Sequence, residues 1–315
     1  MSKNKYVKTF QRAMARQGLY FFSWLLKYLP YWMVRGLAIV AISIGYQFTI
    51  RHRRIAAESL EIAFGKDKTK EELTAITKKC FRNFGLAMIE MSYYLANPEK
   101  VTQTVYIDGK EHLDEALKKG KGVIAVTAHF GNFPLMMFFC ALRGYKVNSI
   151  IRPARDEKIE EYLLQKRTDA GLNTIYAVPR QQCVSQSLEA LRKNEVLFVP
   201  LDQNAGSAGS VFVDFFGQKA ATATGPVILS KRTGAPIILM FIIRQENGMH
   251  KIIVEPELTI SDNVDNEEML QVNICKITQI IEQYVRRYPH EWGWMHRRWK
   301  SRPTAHNTRK QKKAG

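Results

Sequence analysis

The stretch GVIAVTAHFGNFP, residues 122–134, decides the fold. Its first half is an uninterrupted apolar run, as expected for a strand that is buried on both faces of a parallel sheet. The run ends at His129, and Gly131 and Pro134 then favour a turn. Ligands bind at the carboxyl ends of parallel strands, and histidine can accept a hydroxyl proton near neutral pH. His129 is therefore a candidate general base, with a surface histidine in a turn as the alternative.

Short apolar strands alternate with helical patterns around this stretch. This alternation predicts an α/β fold with a mixed, mainly parallel sheet flanked by helices. A hairpin is expected near residues 211–216, and the last long helix is expected over residues 267–288. Two helices are expected between residues 53 and 100, where apolar residues recur every three or four positions. The other predicted strands are VYIDG (105–109), KVNSIIR (146–152), LNTIYAV (172–178), VLFVPLD (196–202), PIILMFIIR (236–244) and KIIVEPEL (251–258).

Residues 1–52 are predicted to form a basic and apolar membrane-associated segment. The first 16 residues contain five basic residues and no acid, and Lys27 and Arg35 are the only charges between residues 19 and 50. Apolar, aromatic-rich segments with basic flanks are typical of membrane interfaces. The uncharged run over residues 36–50 is shorter than the ~20 residues of a confident spanning helix. Helices lying in one leaflet are the first interpretation, with a tilted span or two buried core helices as alternatives.

The remaining chain is predicted to form a catalytic domain over residues 53–300 and a basic flexible tail over residues 301–315. The 315-residue chain has 47 Lys and Arg against 29 Asp and Glu, a formal net charge of +18, which favours an anionic partner. No nucleic-acid-binding motif is visible, so a membrane face is favoured over nucleic acid. The scattered cysteines indicate packing roles in a reducing compartment, without a metal cluster or a disulfide framework; they are Cys80, Cys140, Cys183 and Cys275.

The block TAHFGNF, residues 127–133, resembles the active-site block of the lipid A late acyltransferases, within the wider glycerolipid acyltransferase group. Three further segments agree in order and spacing, and the resemblance covers about residues 10–300: IIRPARDE (150–157), the long segment at 201–237 that begins LDQNAGSAG, and RYPHEWGWMHRRWK (287–300). The resemblance implies a glycerolipid acyltransferase-like fold at the cytoplasmic face of the inner membrane. It also implies transfer of a fatty acyl chain to a lipid A precursor without a cofactor, with acyl carrier protein or acyl-CoA as the donor.

One departure from the family pattern concerns the partner of His129. The family has an acidic residue five positions after the histidine, and this chain has Pro134, which lacks both a polar side chain and a backbone NH. Asp202 ends the strand VLFVPLD as His129 ends its own strand, and such ends converge at one sheet edge. Asp202 is therefore predicted to pair with His129, with a turn-capping role as the alternative. Glu90 and Asp108 are weaker candidates.

Other residues are predicted to contact the substrate. The resemblance implies that Arg152 steadies the thioester oxygen or an acceptor phosphate, to which a planar guanidinium is suited; a surface salt bridge is the alternative. Residues 214–226 are expected to line the cleft or to form a capped helix under a loop. Residues 292–299 are expected to frame a phosphoglycolipid head group or to close the domain as an aromatic clasp. The substrate-binding candidates are Gly131, Asn132, Arg155, Phe216, Thr222, Thr224, Arg297 and Arg298.

These observations predict direct attack by the acceptor hydroxyl, because no Ser or Cys nucleophile elbow is visible. The expected partners are acyl carrier protein, an anionic glycolipid and membrane lipid. One alternative is an acyltransferase for another phospholipid, glycolipid or amino-lipid acceptor. A catalytically dead lipid-binding homologue is a second alternative, supported by Pro134. A nucleic-acid-binding protein is the third.

Overall fold

The computed structural model describes residue 14, residues 17–18 and residues 24–206, 209–262 and 265–303. A seven-stranded sheet forms the centre, in the order β1-β9-β8-β2-β5-β3-β4. Its strands are β1 (Val105–Asp108), β2 (Val123–Thr127), β3 (Val147–Ile151), β4 (Leu172–Tyr176), β5 (Val196–Pro200), β8 (Ile237–Arg244) and β9 (His250–Val254). Only the β8–β9 pair is antiparallel among the pairs in this sheet. The predicted mixed, mainly parallel α/β architecture is confirmed.

Helices cover the sheet and precede it. The N-terminal helices are α1 (Tyr31–Phe48), α2 (Ile50–Phe64) and α3 (Lys70–Ala96). The helices between and after the strands are α4 (Val101–Thr104), α5 (Lys110–Lys118), α6 (Phe133–Leu142), α7 (Glu157–Asp169), α8 (Arg180–Arg192), α9 (Gly225–Thr233) and α10 (Asn266–Arg287). Short 3₁₀ turns occupy Pro98–Lys100 and Pro289–Glu291.

The central position of β2 follows from its composition. All five of its residues are buried, and it pairs in parallel with β5 on one side and β8 on the other. A strand without polar alternation is stable only where helices cover both faces of the sheet. The apolar stretch that begins at Val123 therefore forms the middle of the core, and His129 follows its carboxyl end.

A separate hairpin consists of β6 (Ser210–Phe215) and β7 (Gln218–Ala223). The sequence predicted its first half near residues 211–216. The second strand, QKAATA, was not predicted because it lacks the large β-branched and aromatic residues that usually mark strands. Its small residues are buried at Ala220, Ala221 and Thr222.

Helix α1 packs against α3. Val34 and Ala38 are buried, and a Cβ added at Gly85 of α3 would lie 2.6 Å from Cγ1 of Ile42. The predicted division between residues 52 and 53 falls inside α2. No single helix in the described part of the chain is long and apolar enough to cross a bilayer, although α1 and α2 together, bent by 85°, have sufficient length and apolar character.

Candidate active site

The strand register brings His129 and Asp202 together. Thr127, the last residue of β2, pairs with Pro200, the last residue of β5. The ladder continues one step further, since the backbone NH of Leu201 donates to the carbonyl of Thr127 at 2.9 Å. His129 and Asp202 each lie two residues beyond these paired strand ends. Their proximity therefore follows from the parallel ladder.

A hydrogen bond joins the two side chains. Nδ1 of His129 lies 2.8 Å from Oδ1 of Asp202, and the indole NH of Trp292 donates to Oδ2 of Asp202 at 2.8 Å. The Asp202 side chain is fully buried, whereas the His129 side chain is 28% exposed. The contact predicted from the sequence is present. The catalytic roles of both residues stay predictions.

Electrostatics fixes the arrangement of protons in this pair. Burial acts to raise the pKa of Asp202, but the charge and hydrogen bond of His129, His296 nearby and the indole of Trp292 outweigh burial and hold it well below its usual range. Burial acts to lower the pKa of His129, but the Asp202 carboxylate raises it overall. Because an ionised carboxylate only accepts, Nδ1 of His129 donates and Nε2 carries the free lone pair. This is the tautomer that a general base needs.

Gln203 is a site residue that sequence reasoning missed. Its amide Nε2 lies 3.2 Å from Nε2 of His129 and can donate to the lone pair there. The same side chain lines the cavity beside His129. Its position directly after Asp202 at the end of β5 was the available signal. Any ligand that approaches Nε2 of His129 must replace this amide or share the space with it.

The loop after His129 is held on two sides. The Gly131 NH donates to the Glu291 carbonyl at 2.7 Å, and the Gly293 NH donates to the His129 carbonyl at 3.0 Å. Gly131 has a φ of +55°, and a Cβ there would lie 2.1 Å from the carbonyl oxygen of Ile242 in β8. Glycine is therefore required by both conformation and space. Since the Gly131 NH already has a partner, its predicted role in substrate binding stays a prediction.

An apolar cavity of about 600 Å³ lies beside the pair. This volume is within the ~300–1,000 Å³ range of small-molecule sites. Polar or charged groups among its lining residues include His129, Ser149, Arg152 and Gln203. Apolar side chains from α3, the sheet and its covering helices form most of its wall, among them Met91, Leu95, Met137, Leu163, Leu172 and Phe198. Such a cavity suits a hydrocarbon chain whose polar end lies at His129.

Pro134 forms part of the same cavity wall. It occupies the first turn of α6, where a missing NH has no cost to the helix. The preceding Asn132 is buried, accepts from the Leu135 NH at 3.3 Å and so caps the helix. Asn132 therefore has a structural role in this loop, and its predicted contact with substrate stays a prediction.

Glu90 and Asp108, the weaker candidates for the acid, have other partners. Glu90 is buried and accepts from both terminal nitrogens of Arg244, at 2.5 and 2.6 Å, and from Asn132 at 3.2 Å. Burial acts to raise its pKa, but His250, whose Nε2 lies 3.5 Å from Oε2, and the hydrogen-bonded Arg244 lower the pKa to about 2. Asp108 pairs with Lys251 at 2.7 Å at the surface. The described contacts of His129 include neither carboxylate.

Arg152 lies at the carboxyl end of β3, as expected, and lines the cavity. It is exposed and has no described acid within 4.0 Å, so its guanidinium is available to a ligand. Arg155 is also exposed, but it is not part of the cavity wall. Arg152, and not Arg155, thus lines the cavity that His129 also lines.

The remaining predicted substrate contacts lie outside this cavity wall. Arg298 is buried and donates to the Ala221 carbonyl at 2.7 Å and to Oγ1 of Thr222 at 2.6 Å. Thr224 is buried and donates to the Gly209 carbonyl at 3.2 Å. Phe216 is buried against Trp294, and Arg297 is exposed. Substrate binding by these five residues stays a prediction.

Residues 292–299 form an aromatic clasp, the alternative considered from the sequence. Trp292, Trp294 and Trp299 are buried, and each indole NH has a partner: Asp202, the Pro289 carbonyl and the Phe215 carbonyl. The clasp thereby fixes the acid of the His129 pair.

No group of three or more histidine, cysteine or carboxylate side chains in the described ranges could hold a metal ion.

A histidine–aspartate pair lies beside an apolar cavity at the carboxyl edge of the mainly parallel sheet, and this is the arrangement that general-base chemistry on an apolar substrate would require. The sequence profile of the bacterial lipid A biosynthesis acyltransferases matches residues 5–301, and the chain belongs to this family. The chain is 25% identical over 291 residues to the lipid A biosynthesis palmitoleoyltransferase of Escherichia coli, with 90% of each chain covered.

Two further relatives show how far the similarity extends. The chain is 25% identical over 285 residues to the lipid A biosynthesis lauroyltransferase of Escherichia coli, covering 89% of each chain. It is 26% identical over 133 residues to a phosphatidylinositol mannoside acyltransferase of Mycobacterium tuberculosis, covering 42% of each chain. The family therefore includes relatives named for different glycolipid acceptors.

Proposed function

We propose that this protein transfers a fatty acyl chain from a carrier thioester directly onto a hydroxyl of a lipid A precursor, with His129 as the general base. The observation that carries the proposal is the hydrogen bond between His129 and the buried Asp202, beside an apolar cavity of about 600 Å³. The cavity would hold the acyl chain with its thioester carbonyl close to Nε2 of His129. Membership of the lipid A acyltransferase family supports the reaction class.

The proposed reaction has two steps. Nε2 of His129 takes the proton of the acceptor hydroxyl while its oxygen attacks the thioester carbonyl and a C–O bond forms. Asp202, on Nδ1, stabilises the imidazolium that results. The C–S bond then breaks, and the imidazolium returns the proton to the departing thiolate. The products are an ester and a free carrier thiol, and the enzyme returns to its starting state.

Direct transfer is supported by the residues around the base. Thr127 and Ser149 are the hydroxyl side chains in the cavity wall, and no described hydrogen bond joins either of them to His129. A serine or threonine nucleophile would need such a base within hydrogen-bond distance. None of the described cysteines lines this cavity. The incoming hydroxyl is thus the group that His129 is placed to activate.

Arg152 is proposed to stabilise negative charge during the reaction. Its exposed guanidinium and the imidazole of His129 contribute to one cavity. A guanidinium there can donate to the oxyanion of the tetrahedral intermediate or to a phosphate of the acceptor. The donor is proposed to be acyl carrier protein, with acyl-CoA as the alternative. The net charge of +18 favours an anionic carrier, which both of them are.

The protein is proposed to act at the cytoplasmic face of the inner membrane. The outer face of α1 is apolar and exposed: Trp32 is 73% and Phe48 is 81% exposed, with Leu37, Val40 and Ile44 about 60% exposed between them. Met88 of α3 is also 74% exposed. A contiguous apolar surface of this kind is typical of a membrane contact. Lipid in the bilayer would then have short access to the cavity wall formed by Met91 and Leu95.

Another glycolipid acceptor is the second candidate function. The similarity to a phosphatidylinositol mannoside acyltransferase, 26% identity over 133 residues, favours it specifically. The chemistry at His129 would be unchanged, because only the hydroxyl-bearing molecule differs. Acceptor choice would then depend on groups around the cavity entrance, such as Arg152.

The test is acyl transfer by purified protein, followed by mass spectrometry of the lipid product. Parallel reactions receive acyl carrier protein or CoA thioesters, and lipid A precursor or other glycolipid and phospholipid acceptors. We expect His129→Ala to fold normally and to lose about 100-fold or more of the turnover, as expected for loss of a general base. Undiminished turnover by His129→Ala would exclude the base role. Lipid binding without acyl transfer to any acceptor would indicate a catalytically dead homologue.

A further inference from the structure

A groove lies where α1 bends into α2. Its volume is about 510 Å³, and helices α1, α2 and α3 form its wall. Two arginines, Arg53 and Arg54, line it together with Tyr46, and Thr74 and Thr77 contribute from α3. No carboxylate is among its lining residues.

The two arginines have no acidic partner among the described side chains. The guanidinium of Arg53 lies over the ring of Tyr46, with Cζ 4.4 Å from the ring centroid, so one cation is held in place by an aromatic face. Arg54 is exposed on the next position of α2. Two guanidinium groups without a counter-ion in one groove form a binding site for an anion, and their planar donor arrays favour phosphate.

The position of the groove indicates what carries the phosphate. The exposed apolar face of α1 ends at the bend, where Phe48 is 81% and Ile50 is 65% exposed. Arg51, Arg53 and Arg54 follow directly, after 15 residues without a charge from Gly36 to Ile50. In a bilayer the phosphate layer borders the hydrocarbon in the same way. A lipid whose chains contact the α1 face would therefore present its phosphate to the groove.

The groove is separate from the catalytic cavity. Thr77 lines the groove and Met91 lines the cavity, and both belong to α3. They are 14 positions apart in the sequence. At 1.5 Å per residue the separation along the helix is about 21 Å. The position of the groove beside the exposed α1 face, away from the cavity, therefore favours a bilayer lipid other than the one that reacts at His129.

We propose that the groove formed by Tyr46, Arg53, Arg54, Thr74 and Thr77 binds the phosphate head group of a non-reacting anionic phospholipid of the bilayer. This inference rests on the proposed membrane attachment and is independent of the chemistry at His129. Occupancy of the groove fixes the bend between α1 and α2 at the level of the head groups. The cavity wall formed by α3 is thereby held at a defined depth relative to the membrane.

The experiment compares neighbouring arginines in one helix. Binding of the full chain to vesicles is measured by flotation, with phosphatidylcholine alone or an equimolar mixture with phosphatidylglycerol. General attraction to the surface contributes about 1 kcal/mol, or roughly fivefold in affinity, per basic residue. We expect Arg51→Gln, which is exposed outside the groove, to lose about that much on the mixed vesicles. Arg54→Gln should lose more than tenfold, because charge-assisted hydrogen bonds are lost as well.

Charge-conserving variants provide the matched control. Arg54→Lys should still lose several-fold, because lysine cannot make the bidentate contact, whereas Arg51→Lys should bind as the wild type does. The unfolding midpoint of each variant, and its turnover on substrate dispersed in detergent, should equal those of the wild type. Equal losses in Arg51→Gln and Arg54→Gln would overturn the groove as a site.

Two further outcomes separate this inference from the proposed function. Failure of the wild type to bind either vesicle would overturn both the groove and the membrane attachment, while leaving acyl transfer to be judged by its own assay. Titration with inorganic phosphate, both without vesicles and in the presence of bound vesicles, tests the source of the phosphate. Saturation of the wild-type groove by free phosphate that displaces no vesicle would overturn the assignment to a bilayer lipid.

Discussion

The indole of Trp292 and the carboxylate of Asp202 are joined by a 2.8 Å hydrogen bond in the interior of the protein. The Trp292 indole donates to Oδ2 of Asp202, and the imidazole of His129 donates to Oδ1. Both donors are fixed, because Trp292 is fully buried and the loop of His129 pairs with the backbone of the clasp. The carboxylate therefore has one orientation, which sets the plane and tautomer of the His129 imidazole.

Replacing Asp202 with Asn should lower the turnover by a factor on the order of 10² to 10⁴, since the histidine loses its correct tautomer. An amide has only one oxygen, and Trp292 and His129 both require an acceptor at this place. If the oxygen faces the indole, the NH₂ group faces Nδ1, and the proton of His129 moves to Nε2. The measurement is steady-state turnover with thioester donor, alongside circular dichroism to establish that the variant is folded.

Trp292→Phe is the control for this substitution, since it removes one hydrogen bond while His129 keeps its acceptor. We expect a loss of activity well below that of Asp202→Asn. An Asp202→Asn protein with normal turnover would contradict the assignment of Asp202 as the partner of His129.

The pH dependence of kcat/KM should reveal the effect of Asp202 on His129. A general base must be neutral, so activity is lost as the pH falls through its pKa. Asp202 raises the pKa of His129 above the usual 6.5, against the lowering effect of burial. We expect the acidic limb of the wild-type pH profile to lie above pH 6.5. The acidic limb of the residual activity of Asp202→Asn should lie at lower pH than that of the wild type. Coincident limbs in the two proteins would show that this pair does not govern the profile.

Substitutions at Met137 should change the preferred chain length. Met137 belongs to α6, one turn after Phe133, and lines the cavity. Met137→Ala enlarges the cavity and should favour longer acyl chains, whereas Met137→Trp fills it and should favour shorter ones. A mixture of thioesters of different length, analysed by mass spectrometry of the product, measures the preference. Leu142→Ala is a suitable control, because this exposed residue of the same helix is absent from the cavity wall. Identical product distributions would place the acyl chain elsewhere.

Glu291 should give a pH-dependent contribution to stability. Burial raises its pKa from 4.5 to about 7. Between these values the folded state keeps a proton that the unfolded state has released, so the free energy of unfolding falls as the pH rises. The contribution is complete below about pH 4.5 and is lost above about pH 7, with a size of roughly 3 kcal/mol.

Glu291→Gln should remove this slope, so that the variant is more stable than the wild type at pH 8 and comparable at pH 4. Gln can still accept the hydrogen bond that the Asn83 amide donates to Oε1 at 3.1 Å. Denaturant unfolding of both proteins at several pH values measures the difference between them. Parallel stability curves would show that Glu291 does not titrate in this range.

The mainly parallel sheet could be predicted from the alternation of strands and helices along the chain, but the order of the strands within it could not. The meeting of His129 with Asp202 could be predicted because parallel strands end at a common edge and the ends of the two apolar runs are clear. Gln203 directly follows Asp202, so the same rule applied one residue further along the chain would have predicted it.

The environment of the clasp could not be predicted in this way. Arg298 is buried while Arg297 beside it is exposed, and no periodic pattern in the run HRRW distinguishes them. The acceptor of the Trp292 indole depends on tertiary packing between the chain end and β5. Strand β7 could not be predicted either, because its small residues fit close packing and do not indicate a strand by their propensity.

Asp202 follows β5, so the segment that holds the His129 pair differs from the segment that shapes the cavity wall at Pro134. In a pair whose acid followed five residues after the histidine, the start of α6 would have to preserve catalysis. Here Pro134 at that place only shapes the cavity wall, and the hydrogen-bond ladder between β2 and β5 holds the pair. Under the proposed function, mutations at the start of α6 should therefore alter substrate selectivity without passing through an inactive intermediate. New acyl specificities would then be able to evolve in single steps.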